Sequence, residues 1–330
     1  MKVLVDKYIP FLSGILEPYA EVGYLGEDEF THERIKDADA LIIRTTVHCD
    51  RILLEGTSVR FIATATIGFD HIDTSYCISH GVHVCSCPGC NAEAVCDYVE
   101  EAVREYLISL SGLRSLSKLS KNFTLGVVGV GHVGALVARM AEKKGFRVLL
   151  NDPPKRIGVS LRELAEQSDI ITFHTPLNRE GAYPTYHLCD EALLRCCCPH
   201  ALIINAARGG VVDEKALLQS GHPYVIDCWE GEPAIDNQVL LSEQALLTSY
   251  HIAGYSVEGK KRASAMCITA FGDFFGIESL KNGEKVVSLH PDTKNMLHGD
   301  NAQGWLRRVS DSLKAHPEAF TQLRKQYKLR

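Results

Sequence analysis

The 330-residue sequence has no apolar run that approaches the ~20 residues of a membrane-spanning helix. It has no excess of basic residues either: 35 Lys and Arg stand against 41 Asp and Glu, for a net charge of −6. Nucleic-acid backbones and anionic membrane surfaces repel an acidic chain, so no nucleic acid and no membrane is expected as a partner. A small anionic substrate is still allowed, because it needs only local positive charge. The opening MKVLVDKYIP lacks the unbroken apolar core of a secretory signal, since Asp6 and Lys7 interrupt it. A cytoplasmic location is expected. Internal repeats and low-complexity tracts are missing as well.

Cysteine is not scarce, but the spacing that would give it a role is. Cys85, Cys87, Cys90 and Cys96 lie close together, and Cys196, Cys197 and Cys198 are consecutive. Neither group repeats the paired C-x-x-C of a zinc site, and three adjacent residues do not converge easily on one tetrahedral ion. No metal is expected, and the twelve thiols are expected to be reduced and buried as small hydrophobes.

What is present is alternation. In the first hundred residues, VLVD (3–6), ALIIR (40–44), RFIATAT (60–66) and HVCSC (83–87) predict strands. Between them, PFLSGILEPYA and HERIKDADA predict helices or turns. Such alternation predicts a parallel sheet covered on both faces. NAEAVCDYVEEAVREYLISLSGL (91–113) predicts a long helix capped by Asn91, suited to a rigid connection between domains. Six further strands follow at 124–130, 147–152, 169–175, 201–207, 224–229 and 245–250, enough for a complete doubly wound dinucleotide-binding domain. The expected class is α/β with two doubly wound parallel-sheet domains. Residues 1–95 form the first part of a substrate domain, and 96–254 the dinucleotide-binding domain. Residues 255–280 return as a helix to the substrate domain. A short C-terminal extension, 281–330, carries a helix at 301–314.

GVVGVGHVG places Gly129, Gly131 and Gly134 in the spacing G-x-G-x-x-G, after an apolar strand and before a helical pattern opened by His132 and Val133. The first glycine allows a tight turn, the second a close approach by pyrophosphate, and the third close packing of helix on strand. Asp152 ends the next strand, where a carboxylate accepts hydrogen bonds from the adenosine ribose and repels the extra phosphate of NADP. NAD is therefore the expected cofactor.

Three more strand ends carry reactive side chains. Arg208 follows the fourth strand of this domain, Asp227 and Glu232 the fifth, and His251 the sixth. Ligands of doubly wound sheets bind beyond the carboxyl ends of the strands, so these residues can share one site. Oxidation of a 2-hydroxy acid needs a base for the hydroxyl proton while hydride leaves the same carbon. A histidine exchanges protons near neutrality, and a carboxylate on its other nitrogen orients it. An arginine can hold the substrate carboxylate through two parallel hydrogen bonds.

The segments NAARGGVVD, DCWEGEP and HIAG, together with the glycine loop, resemble those of the D-2-hydroxyacid dehydrogenase family over residues 1–277. The resemblance implies two Rossmann-like domains and a homodimer. It implies a catalytic trio of Arg208, Glu232 and His251, with His251 the acid/base. It also places Asp227 at the nicotinamide, and Thr175, Ala206 and Gly254 along the cofactor. IRTTVHCD, ATATIGFDHID, PGCNAEAV and HIAGYSVEGK resemble the branch that acts on 4-phospho-D-erythronate. That branch implies substrate contacts at Thr45, Thr66 and Tyr255; the nearby bases Arg44 and Lys260 are either sources of positive charge for the phosphate or solvated surface residues. Other members of the family, acting on phosphoglycerate or hydroxypyruvate, are the nearest alternatives. A dinucleotide-sensing co-repressor on the same fold is a non-enzymatic one.

Overall fold

Runs of β-branched and apolar residues build two sheets in the computed structural model, which describes residues 1–111, 120–291 and 302–330. The chain divides into two units, Met1–Asn91 with Ser256–Leu297 and Ala92–Tyr255 with His298–Arg330.

The first unit holds β1 (Lys2–Asp6), β2 (Glu21–Leu25), β3 (Ala40–Ile43), β4 (Phe61–Thr64) and β5 (His83–Cys85). All pair in parallel, in the order β2-β1-β3-β4-β5. The central β3 and β4 are buried at every position, as expected of strands covered on both faces. The helix Val257–Phe275 covers one face, packing Phe271 against Phe61, and Ser256 caps it by accepting from the Gly259 N–H at 3.0 Å. Strand β2 was not anticipated. The expected helix or turn over 10–20 is a series of turns, because Pro10, Pro18 and Gly14 at φ 81° leave no helical run between β1 and β2.

The second unit holds β6 (Thr124–Val128), β7 (Arg147–Asp152), β8 (Ile157–Gly158), β9 (Ile170–Phe173), β10 (Leu202–Asn205), β11 (Tyr224–Ile226) and β12 (Ala245–Thr248). Their order is β12-β11-β10-β9-β6-β7-β8. Six strands are parallel, and the two-residue β8 is an antiparallel edge that sequence patterning missed. After β7 and β8 the chain returns to the other side of β6 to form β9. This reversal of strand order leaves a crevice beyond the carboxyl ends of β6 and β9.

The long helix spans Ala92–Ser111; residues 112–113 of the expected helix lie outside the described residues. It is part of the second unit rather than a connecting rod, with Tyr98, Val99, Ala102 and Val103 buried in that unit's core. The expected cap does not form: the Asn91 Oδ1 is buried without a partner among the described residues.

The described part of 281–330 is divided between the two units, and it is more helical than its composition suggested. Gly283–Ser288 is a helix of the first unit, whereas Trp305–Ala315 and Phe320–Gln326 belong to the second. Residue 301 of the expected helix lies outside the described residues. The helix Trp305–Ala315 lies along the edge strand β12, where Ser310 Oγ accepts from the Thr248 N–H at 3.0 Å. Lys314 Nζ donates to the Ala245 carbonyl at 2.6 Å, and Arg307 Nη1 to the Leu246 carbonyl at 3.3 Å.

All twelve cysteines are free. Eight are buried, but Cys85, Cys196, Cys197 and Cys198 are only half-buried, because they lie at a strand end and in a surface turn. Burial pushes the Cys49, Cys90 and Cys96 thiols up to about 12, which keeps them un-ionised and unreactive.

Candidate active site

The glycine loop follows β6. Gly129 adopts φ 87°, and a Cβ there would meet the His174 carbonyl oxygen at 2.8 Å. A Cβ on Gly134 would stand 1.9 Å from the Gly129 carbonyl oxygen, so only glycine lets the helix His132–Lys144 start this close to the strand. A Cβ on Gly131, the N-cap of that helix, would meet nothing within 4 Å. Turn, packing and open space at a helix N-terminus thus fall on the three glycines as pyrophosphate binding requires. Thr175 adds a buried hydroxyl oxygen with no partner among the described residues. These features fit a dinucleotide.

Asp152 closes the loop from β7. Its Oδ2 accepts from the Val130 N–H at 2.8 Å, which holds the carboxylate beside the glycines. Lys155 Nζ donates to the Val130 carbonyl at 2.6 Å and lies 3.6 Å from the same Asp152 oxygen. This lysine is therefore already engaged by an acceptor and an anion, which leaves it less available to the extra phosphate of NADP.

The other strand ends are held by buried polar side chains. At the end of β10, Asn205 Nδ2 donates to the Arg208 and Cys228 carbonyls at 3.0 and 3.1 Å, tying together the loops after β10 and β11. A Cβ on Gly209 would lie 1.9 Å from the Trp229 carbonyl oxygen, which accounts for the glycine after Arg208. Arg208 is half-buried, with Nη1 on the Ala207 carbonyl at 2.8 Å; Ala206 is buried beside it.

Past β11, Asp227 is 1% exposed. Its Oδ1 accepts from Ser249 Oγ and the Ile252 N–H, both at 2.7 Å, and its Oδ2 from the Ala253 N–H at 3.0 Å. Its carboxylate thus anchors the segment after β12, a role the sequence did not reveal. The anchor matters because His251 has φ 59°, in the left-handed region that costs a non-glycine residue energy. The hydrogen bonds to residues 252 and 253 hold that conformation in place.

His251 Nδ1 then lies 2.8 Å from Glu232 Oε2 and 3.1 Å from Oε1. The Trp229 N–H donates to Oε1 at 2.8 Å, closing the turn that presents the carboxylate. Burial alone would raise the Glu232 carboxyl, but the bond from His251, its charge and the Trp229 N–H outweigh it and hold Glu232 below its ordinary range. An ionised Glu232 on Nδ1 leaves Nε2 for proton exchange. Sequence reasoning missed Glu214, which is 5% exposed and accepts from the Glu230 N–H at 2.6 Å, supporting the same turn. Tyr255 OH accepts from Arg324 Nε at 3.2 Å, and Gly254 is half-buried beside it.

Thr45 and Thr66 belong to the first unit. Thr45 is exposed after β3. Thr66, after β4, donates to the Gly68 carbonyl at 3.1 Å and lies 2.6 Å from Thr64 Oγ1. Arg44 pairs through Nε with the fully buried Asp6 at 2.8 Å, so much of its charge is compensated locally.

Residues 99–253 match the family model described as D-isomer specific 2-hydroxyacid dehydrogenase, NAD binding domain. Over its whole length the chain is 44% identical to an erythronate-4-phosphate dehydrogenase of Bacteroides fragilis, spanning 97% of that protein. It is 40% identical to the Porphyromonas gingivalis protein of the same name, with 99% of this chain and 92% of that one covered. The NAD-bound 3-phosphoglycerate dehydrogenase of Entamoeba histolytica superposes with a TM-score of 0.67 at 25% identity, over 86% of this chain and 97% of that one. The chain belongs to the D-isomer specific 2-hydroxyacid dehydrogenase family, and it is an NAD-dependent oxidoreductase.

Proposed function

We propose that this chain oxidises 4-phospho-D-erythronate to (R)-3-hydroxy-2-oxo-4-phosphooxybutanoate with NAD, a step in pyridoxal 5′-phosphate biosynthesis. The His251–Glu232 pair, in the same unit as Arg208 and the glycine loop, carries this reading. Full-length similarity to proteins named for that substrate supports it. Arg208 holds the substrate carboxylate and fixes C2 with its hydroxyl toward His251 Nε2. His251 takes the hydroxyl proton as the C2–O bond becomes a carbonyl, and Glu232 stabilises the imidazolium that forms. NAD, when bound, accepts the hydride that leaves C2. Gly254 leaves room beside the reacting carbon, and Asp227 holds His251 in position. The substrate-contact role extends to Tyr255 of the second unit and to Thr45 and Thr66 of the first. A cytoplasmic homodimer completes the proposal.

The test is steady-state NAD reduction with 4-phospho-D-erythronate, 3-phosphoglycerate and D-erythronate. The phosphorylated four-carbon acid is expected to exceed both others in kcat/KM by at least tenfold. Equal efficiency with 3-phosphoglycerate would move the chain to a different substrate within the same family.

A further inference from the structure

The second unit carries another guanidinium at the His251–Glu232 pair. Arg324 lies on the helix Phe320–Gln326, which is seated by the buried Phe320 and by Leu323 packed on the core. Arg330 Nη2 fastens the end of this segment, donating to the Ala94 and Ala253 carbonyls at 3.0 and 2.7 Å. The Arg330 guanidinium also stacks 4.2 Å from the centre of a Trp305 ring. Arg324 is therefore presented by an anchored element.

Its own contacts leave most of its donors unused. Nε donates to Tyr255 OH at 3.2 Å, and Nη1 lies 3.9 Å from Glu232 Oε2. At 3.9 Å the carboxylate is an ion pair and not a hydrogen-bond acceptor. The Nη1 and Nη2 hydrogens have no acceptor among the described residues, and 33% of the side chain is exposed. Glu232 is also shared with His251 Nδ1 and the Trp229 N–H, so it compensates Arg324 only in part. Arg44 of the first unit, by contrast, is hydrogen-bonded to the fully buried Asp6.

A substrate with a carboxylate at one end and a phosphate at the other needs a second cation besides Arg208. We infer that Arg324 is a specificity-determining residue that binds the substrate's phosphate, leaving Arg208 for the carboxylate; this rests on the proposed function. The planar fork of a guanidinium matches two phosphate oxygens at once, and its hold on Tyr255 fixes the fork at a residue expected to touch the same substrate.

The experiment compares wild type, Arg324→Gln and Arg324→Lys with NAD and either 4-phospho-D-erythronate or D-erythronate. NAD affinity, measured by fluorescence titration, is the control for folding of the second unit. Arg324→Gln is expected to lower kcat/KM for the phosphorylated acid by about 10- to 100-fold, mostly through KM. It should leave D-erythronate within about twofold and NAD affinity unchanged. Arg324→Lys should recover part of the loss, since it keeps the charge without the fork. Equal losses with both acids would make Arg324 a positioning residue for Glu232 and Tyr255, and would overturn the inference. Retention of the wild-type preference in Arg324→Gln would overturn it too. A wild type that does not turn over the phosphorylated acid rejects the proposed function itself, and the inference falls with it.

Discussion

The two units solve the same structural problem and end their strands differently. Both wrap helices around a parallel or mostly parallel sheet with fully buried central strands. In the first unit, β3 and β4 run out into hydroxyls, Thr45 and Thr66, and its strand-end charge Arg44 is paired with Asp6. In the second, the strands run out into Asp152, Arg208, Asp227, Glu232 and His251, supported by Asn205 and Glu214. One architecture thus ends in neutral hydroxyls and a compensated arginine in one unit and in an array of acids and bases in the other, because the sheet sets position and the loop residues set chemistry.

The comparison breaks if a change in the first unit harms catalysis as much as the loss of His251. His251→Ala is expected to lower turnover by roughly 10²–10⁴-fold, and steady-state rates at saturating substrate measure it. Glu232→Gln should also slow turnover and move the acid limb of the oxidation profile to lower pH, since a neutral amide no longer stabilises the imidazolium.

A cofactor change tests the glycine loop against an ordinary sheet glycine. Gly134→Ala forces a Cβ to 1.9 Å from the Gly129 carbonyl oxygen, a rigid backbone atom. Gly23→Ala in the first unit meets only the Leu4 Cδ2 at 2.8 Å, on a side chain that can turn away. NAD affinity, read by fluorescence titration, should fall about tenfold or more in Gly134→Ala and remain unchanged in Gly23→Ala.

Smaller effects sharpen the contrast. Thr66→Val, which removes one neutral hydroxyl, should raise the KM for the phosphorylated acid about two- to tenfold without shifting the pH profile. Glu214→Gln should act on stability alone. Burial, and after it the acids Glu230, Asp236 and Glu232, push the Glu214 carboxyl up to about 8 against an opposing Glu230 N–H. The folded state therefore holds a proton that the unfolded state releases. Stability falls as pH climbs from about 4.5 to about 8 and stays lower above that. The glutamine keeps the acceptor without the charge, so its melting temperature should exceed that of wild type by a few degrees at pH 9 and match it near pH 4.

Much of this was legible in the sequence because it is local. Unbroken apolar runs such as ALII and LIIN mark buried parallel strands; the glycine loop follows β6 directly, and Arg208, Glu232 and His251 stand three, six and three residues beyond β10, β11 and β12. Strand β2, EVGYL, is half-exposed and contains a glycine, so it carries no comparable signal. The residues that hold the site are invisible for a different reason. Asp227 joins a segment 25 residues away at Ile252, and Arg324 reaches Tyr255 across 69 residues. Neither spacing follows any periodicity of a helix or strand, so only tertiary packing brings these partners together.

The helix laid along β12 has a consequence for assembly. A sheet edge with open backbone groups is an adhesive surface, able to recruit a strand from another chain. Here side chains of Ser310, Lys314 and Arg307 occupy those groups on Thr248, Ala245 and Leu246. Side chains end the sheet where a further backbone would extend it, so this margin offers no template for strand addition or fibre growth. Uncovering it would expose a sticky margin on the unit that contains the NAD-binding match, and aggregation would then compete with folding for the same molecules.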